Sequence, residues 1–358
     1  VVMWQSWNQS GQGSDIYGQR YAANGTPQGT EFLVNTTVSG DQIMPSVAAL
    51  PNGGYVAVWR SQAGIVTQQF AANNTKVGSE IIVSSVSGIG LTFPPAIAAL
   101  DDGGYVVTWG QDSNILAQHY TAGNVPANPL VTVSSNPAGW VQEPSVATLP
   151  GGGYVVTWLS NNSETQTTSV VAQKYTAADA PDGDLIPITS IQNTQGWIVA
   201  PSIATLPDGS YVMTWLLNNP ASNTTTLFAQ KYAANNAPVN PPAVTVSSVQ
   251  NNTNWVVMPS VAMLSDGGYD VTWSLGNPAN NTTNIMARQY DAAGVAKDGE
   301  FVVSAATPGQ NHMPSVAALN DGGFVITWDA MNPNGTPSDV YSQRYDATGS
   351  PVQQTVQL

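Results

Sequence analysis

The sequence predicts an all-β chain, a seven-bladed β-propeller of four-stranded antiparallel blades whose first blade lacks its inner strand. Three observations carry this expectation. A Gly-aromatic-apolar run ending in Trp recurs along the chain, its terminal Trp residues (Trp4, Trp59, Trp109, Trp158, Trp215, Trp273 and Trp328) standing 55, 50, 49, 57, 58 and 55 positions apart. That period suits a four-stranded blade and is too long for ankyrin-type or leucine-rich repeats. Each copy is accompanied by further short runs rich in Val, Ile, Tyr and Thr and bounded by Gly, Asn, Asp and Pro, the composition of strands. No stretch carries a helical period.

The elements of one repeat follow in order. Strand a reads Pro-Ser-Val-Ala, as in Pro45–Leu50 and Pro314–Leu319, and its small residues suit a crowded centre. Strand b is the Gly-Tyr-Val-Val-Thr-Trp run, and its Trp residues are expected to pack between blades. Strand c ends in Gln-basic-Tyr, as in Val170–Tyr175, and strand d is a short apolar run such as Glu80–Val83 or Glu300–Val303. The a–b connections (Asn52–Gly54, Asp102–Gly104, Asp321–Gly323) read as tight turns that need positive φ, and turn chemistry accounts for their Asp and Asn. One domain spans residues 1–358, with blades at about 1–34, 43–83, 94–133, 144–188, 201–246, 259–303 and 314–358. Strands b, c and d occur seven times and strand a six times. The expectation is that chain upstream of Val1, in a longer parent polypeptide, supplies the missing inner strand.

Bulk composition narrows the function classes. Only 8% of the residues are charged and the net charge is −14, so no basic stripe exists for nucleic acid. No apolar run reaches the ~20 residues of a membrane span. The absence of cysteine excludes disulfides and thiolate chemistry. The two histidines, His119 and His312, have no ligand cluster of metal spacing around them, so neither metal nor cofactor is expected. His119 takes the outward polar position of strand c. Paired carboxylates for glycoside hydrolysis would draw on Glu143, Glu164, Asp112 or Asp329, none of which stands in a distinctive motif, and no catalytic residue is assigned. Ten Asn-x-Ser/Thr sequons mark sites that a glycosylating source would coat.

The copies differ on one face. The b–c loops are short in the second and third blades (Arg60–Gly64, Gly110–Asn114) but long and polar in the fourth to sixth (Leu159–Ser169, Leu216–Thr226, Ser274–Asn284). The same three blades carry an extra Trp in the preceding d–a loop, four residues before the Pro of strand a: Trp140, Trp197 and Trp255. Indole faces beside amide and hydroxyl groups compose a sugar site, the ring stacking on the sugar and the polar groups bonding its hydroxyls. The candidate ligand-binding residues are therefore Trp140, Trp197, Trp255, Asn162, Asn219 and Asn281. The alternative is that each Trp only covers an inter-blade groove.

The unit running from Pro314–Trp328 to Val340–Gly349 resembles repeats found in tandem in very large secreted or surface proteins of bacteria, adhesin-like and repeats-in-toxin-type polypeptides. The resemblance covers essentially the whole chain. It implies an extracellular or cell-surface location and partners among surface proteins or other copies, with glycans as further ligands. The calcium-binding glycine-aspartate nonapeptides of repeats-in-toxin regions are absent, so calcium is not implied. The leading expectation is a non-catalytic module for adhesion or surface assembly; the alternatives are a lectin-like propeller and a glycan-active enzyme.

Overall fold

The computed structural model describes residues 1–7, 13–22, 25–85, 93–251, 253–307, 309–331, 339–352 and 354–358. Among the described residues the fold is all-β, with one short 3₁₀ turn at Pro150–Gly152. The chain divides into two compact units, residues 1–165 with 171–188 and residues 166–170 with 189–358.

In chain order, β1 (Val2–Trp7), β2 (Ser14–Gln19) and β3 (Phe32–Leu33) form a three-stranded sheet. Four four-stranded antiparallel sheets follow. The first is β4 (Ile43–Ala49), β5 (Tyr55–Ser61), β6 (Gly64–Phe70) and β7 (Lys76–Ser84). The second is β8 (Ala96–Ala99), β9 (Tyr105–Gln111), β10 (Asn114–Tyr120) and β11 (Val131–Ser135). The third is β12 (Gly139–Thr148), β13 (Tyr154–Asn162), β14 (Thr167–Tyr175) and β15 (Pro181–Gln192), and the fourth is β16 (Trp197–Thr205), β17 (Tyr211–Asn219), β18 (Thr224–Tyr232) and β19 (Pro238–Gln250). The last sheet holds β20 (Trp255–Met263), β21 (Tyr269–Asn277), β22 (Thr282–Tyr290) and β23 (Phe301–Val302), then β24 (Gln310–Ala318), β25 (Phe324–Met331), β26 (Asp339–Tyr345) and β27 (Val356–Gln357). Its two halves are joined by the parallel pair Thr283↔Gln310.

The repeated residues have repeated jobs. The Tyr or Phe opening strand b stacks on the aromatic closing strand c, with ring centroids 4.6–5.1 Å apart in six copies. The strand-c Gln turns its amide onto the next residue's carbonyl and onto the outer strand, as when Gln68 Nε2 donates to the carbonyls of Gln69 and Val77. In the a–b turns Gly53, Gly103, Gly267 and Gly322 hold φ of 81–86°. The preceding Asn or Asp accepts an amide two residues on, as with Asp102 Oδ1 and the Gly104 N–H at 2.8 Å. The b-strand Trp residues lie between consecutive sheets: Trp109 packs with Val56, Val58 and Ile65, and Trp158 with Val106 and Ile115. Trp59, Trp109, Trp158, Trp273 and Trp328 are each no more than 1% exposed.

The structure differs from the sequence reading at one end of the repeats. The segments expected as long b–c loops are strand: β13, β17 and β21 run on to residues 162, 219 and 277, and the c strands resume at 167, 224 and 282. The partner strands lengthen with them, β19 reaching 13 residues where a short run was expected. The Thr-rich arms favour pairing, which leaves only the Asn-rich tips as turns. The extra Trp residues are likewise strand residues, paired in register as Trp140↔Asn161, Trp197↔Asn218 and Trp255↔Gly276. Between each Trp arm and the rest of strand a lies a β-bulge at the residue before Pro: Glu143, Ala200 and Met258 hold φ of 54–55° there.

Candidate functional site

In the second unit the lengthened arms frame a cavity of about 460 Å³. Trp197 and Trp255 stand on its walls, Val199, Leu216, Val256 and Val257 line it with apolar surface, and Asn218, Asn223, Thr225 and Asn251 supply polar groups. None of its lining residues carries a charge. The polar groups are chained: Asn218 Nδ2 donates to Thr225 Oγ1 at 2.9 Å, and Thr225 Oγ1 donates to Asn251 Oδ1 at 2.7 Å. Trp197 is 50% exposed, leaving much of a large apolar ring open to solvent.

Trp255 is held differently. Its cross-strand partner is Gly276, and a Cβ added there would stand 1.8 Å from the indole Cε2. The ring therefore lies flat across the glycine backbone, which only a residue without a side chain allows. Gly276→Val is expected to expel Trp255 from this position, which a shift of indole fluorescence towards that of a solvent-exposed Trp would read. An unchanged spectrum would show that the indole does not lie over Gly276.

On the far strand, the imidazole of His312 runs parallel to Trp255, centroids 6.1 Å apart and planes at 5°. His312 faces Asp329 in register across β24 and β25. Burial pushes the Asp329 carboxyl above the ordinary carboxylate range, and the charge of His312 offsets part of that rise. Asp329 Oδ1 is buried without a hydrogen-bond partner among the described residues.

The predicted site residues separate. Trp197 and Trp255 meet at one cavity, while Trp140 lies in the first unit, paired to Asn161. Asn162 and Asn219 end strands β13 and β17, and their side chains cap the turns that follow: Asn162 Oδ1 accepts the amides of Glu164 and Thr165, and Asn219 Oδ1 those of Ala221 and Ser222. Asn281 sits at φ 53° and accepts Gln310 Nε2 at 2.8 Å. Asn218 and Thr225 were not named as site residues in the sequence, and Asn223 and Asn251 stood out there only as glycosylation sequons. The signal that could have found Asn218 is period-two alternation outward from Leu216, which puts both residues on one face. Of the carboxylate candidates, Asp112 (φ 54°) and Glu164 sit in turns and Glu143 in a bulge. His119 is not outward: it is buried, its Nδ1 3.3 Å from Asp179 Oδ2, which also accepts Asn128 Nδ2.

No family model matches the sequence, and no curated protein matches it. Solved structures do share the fold. An α-L-arabinofuranosidase from Fusarium graminearum, in complex with an iminosugar inhibitor, superposes with a TM-score of 0.57 at 14% identity over 86% of this chain and 93% of its own. An α-L-arabinanase from Penicillium chrysogenum, complexed with arabinobiose, gives 0.53 at 14% identity over 74% and 80%. A protein of unknown function from Dyadobacter fermentans gives 0.58 at 11% identity over 87% and 96%. The fold is thus propeller-like and shared with carbohydrate-active proteins. These likenesses overturn the expectation of a non-catalytic module for adhesion or surface assembly, and with it the expectation that the chain is not an enzyme. The uniform repeat features behind that expectation are packing features, which a hydrolase scaffold needs equally.

Proposed function

We propose that this chain is a glycan-active enzyme, a glycoside hydrolase on a seven-bladed propeller that works outside the cell. The cavity walled by Trp197 and Trp255 is its oligosaccharide site. The observation that carries this reading is the pairing of two indoles with the Asn218–Thr225–Asn251 chain in one concavity. Indole faces hold the apolar faces of sugar rings, and amides and hydroxyls exchange bonds with ring hydroxyls. The uncharged lining and the chain's net charge of −14 favour neutral sugars over uronic or sialic acids. The likeness to an arabinofuranosidase and an arabinanase makes neutral arabinose-containing oligosaccharides the first substrates to try.

The test is reducing-sugar release from a panel of neutral and acidic polysaccharides, followed by affinity measurements on the oligosaccharides produced. Trp197→Ala is expected to weaken binding about tenfold, the equivalent of ~1.4 kcal/mol for one stacking platform. Its exposure means that the melting temperature should hardly move. A chain that releases no sugar from any glycan, or binds as well without Trp197, would overturn the reading.

A further inference from the structure

We infer that Asp329 is the proton donor of the hydrolytic reaction, paired across the strands with His312, whose imidazole lies parallel to Trp255 of the oligosaccharide cavity. The inference rests on the glycoside-hydrolase reading above and assigns the acid that it requires.

The repeats supply their own comparison. The residue two before the Pro of strand a, with its partner across strand b, is Ile43↔Arg60, Gln142↔Leu159, Val199↔Leu216 and Val257↔Ser274 in four copies. In the last copy it is His312↔Asp329, the one pair of these five that sets an imidazole against a carboxyl. Packing needs neither group, since Val199 and Leu216 fill the same place in one copy and no other copy puts an acid there. A local rule broken in one repeat without a structural gain points to function. A carboxyl oxygen buried without a hydrogen-bond partner costs stability and calls for the same explanation. Its raised pKa keeps the proton available at a pH where an ordinary carboxyl has lost it.

Trp255 connects this pair to the sugar site. One strand end presents its indole both to the cavity with Trp197 and to the parallel imidazole of His312. A chain of sugars stacked over Trp197 and Trp255 would continue towards Asp329. The Asp329 carboxyl passes its proton to the oxygen of the scissile glycosidic bond, the bond from that oxygen to the anomeric carbon breaks, and an alcohol leaves. Water then adds to the anomeric carbon and its proton returns to the carboxylate, so the sum is glycoside plus water to hemiacetal plus alcohol.

Asp329→Asn separates this role from a structural one. The variant is expected to bind oligosaccharide as the unaltered chain does and to lose about 10²–10⁴-fold in hydrolysis of a glycoside with a sugar alcohol as leaving group. On a 2,4-dinitrophenyl glycoside, whose leaving group departs without a proton, the loss should be less than about tenfold. Equal losses on both substrates, or none on either, overturn the assignment alone. An unaltered chain that cleaves no glycoside overturns it together with the reading it rests on.

Discussion

Replacing Asp270 with valine is expected to stabilise the protein at pH 8 by on the order of 4 kcal/mol. Asp270 is fully buried in β21, at the strand-b position that holds Val56, Val106, Val155, Val212 and Val325 in the other repeats. Among the described residues neither carboxylate oxygen has a well-formed hydrogen bond, the Gln289 amide nitrogen lying near enough to interact but likewise unpaired. Burial raises the carboxyl pKa from 3.8 to about 7; Gln289 and the more distant Lys297 oppose the rise, and Asp266 adds to it. Lys297 is itself paired with Asp266, 3.0 Å away, so it does not neutralise the buried acid.

The sign follows from linkage. A carboxyl whose folded pKa lies above its unfolded value leaves stability intact below about pH 4, where both states are protonated. Stability falls as pH rises through the window from 3.8 to about 7, because only the unfolded chain ionises freely there. Above that window the full penalty applies. Denaturant titrations of the unaltered and Asp270→Val chains at pH 4 and pH 8 check this: the advantage of valine should be small at pH 4 and near its full size at pH 8. An advantage independent of pH would mean that the carboxyl is solvated or paired in solution.

The second large effect is destabilising. Trp328→Ala should cost about 3–5 kcal/mol, the range for a fully buried Trp. The indole is 1% exposed and packs with Ile285, Val303, Val316 and Ile326. Its Nε1 donates to Asn311 Oδ1 at 3.1 Å, and Asn311 Nδ2 in turn donates to the carbonyls of Thr283 and Thr307. This network anchors β24 beside β25, the two strands that carry His312 and Asp329. Hydrolysis is therefore expected to fall with stability. Trp328→Phe should recover most of the packing and leave the Asn311 bond unmade, for a cost of about 1–3 kcal/mol. Thermal melts of the two variants would show the order; a Phe variant no better than Ala would place the whole effect in the hydrogen bond.

The strand set was legible in the sequence because each repeat repeats its physics. The stacked pairs such as Tyr105 and Tyr120, the positive-φ glycines of the a–b turns and the buried Trp residues are local requirements, each met six times over at nearly constant spacing. The strand extensions were misread as loops because Asn and Ser favour turns while Thr favours strands, and only pairing with a neighbour decides which tendency wins in such a mixed segment. Trp197 and Trp255 were visible as departures from the repeat. Asn219 was chosen where Asn218 lines the cavity, since one residue of register reverses the face.

By itself the sequence determined the all-β repeat, the order of strands within it, and which blades depart from the pattern, because period, turn residues and apolar alternation are properties of a chain segment. Tertiary structure alone decided that Trp197 and Trp255 share a cavity with Asn218, Thr225 and Asn251, and that the half-buried Asp329 stands opposite His312. Those groups come from different strands, up to 58 residues apart for the two indoles, and their proximity is set by how successive sheets pack rather than by any spacing in the chain.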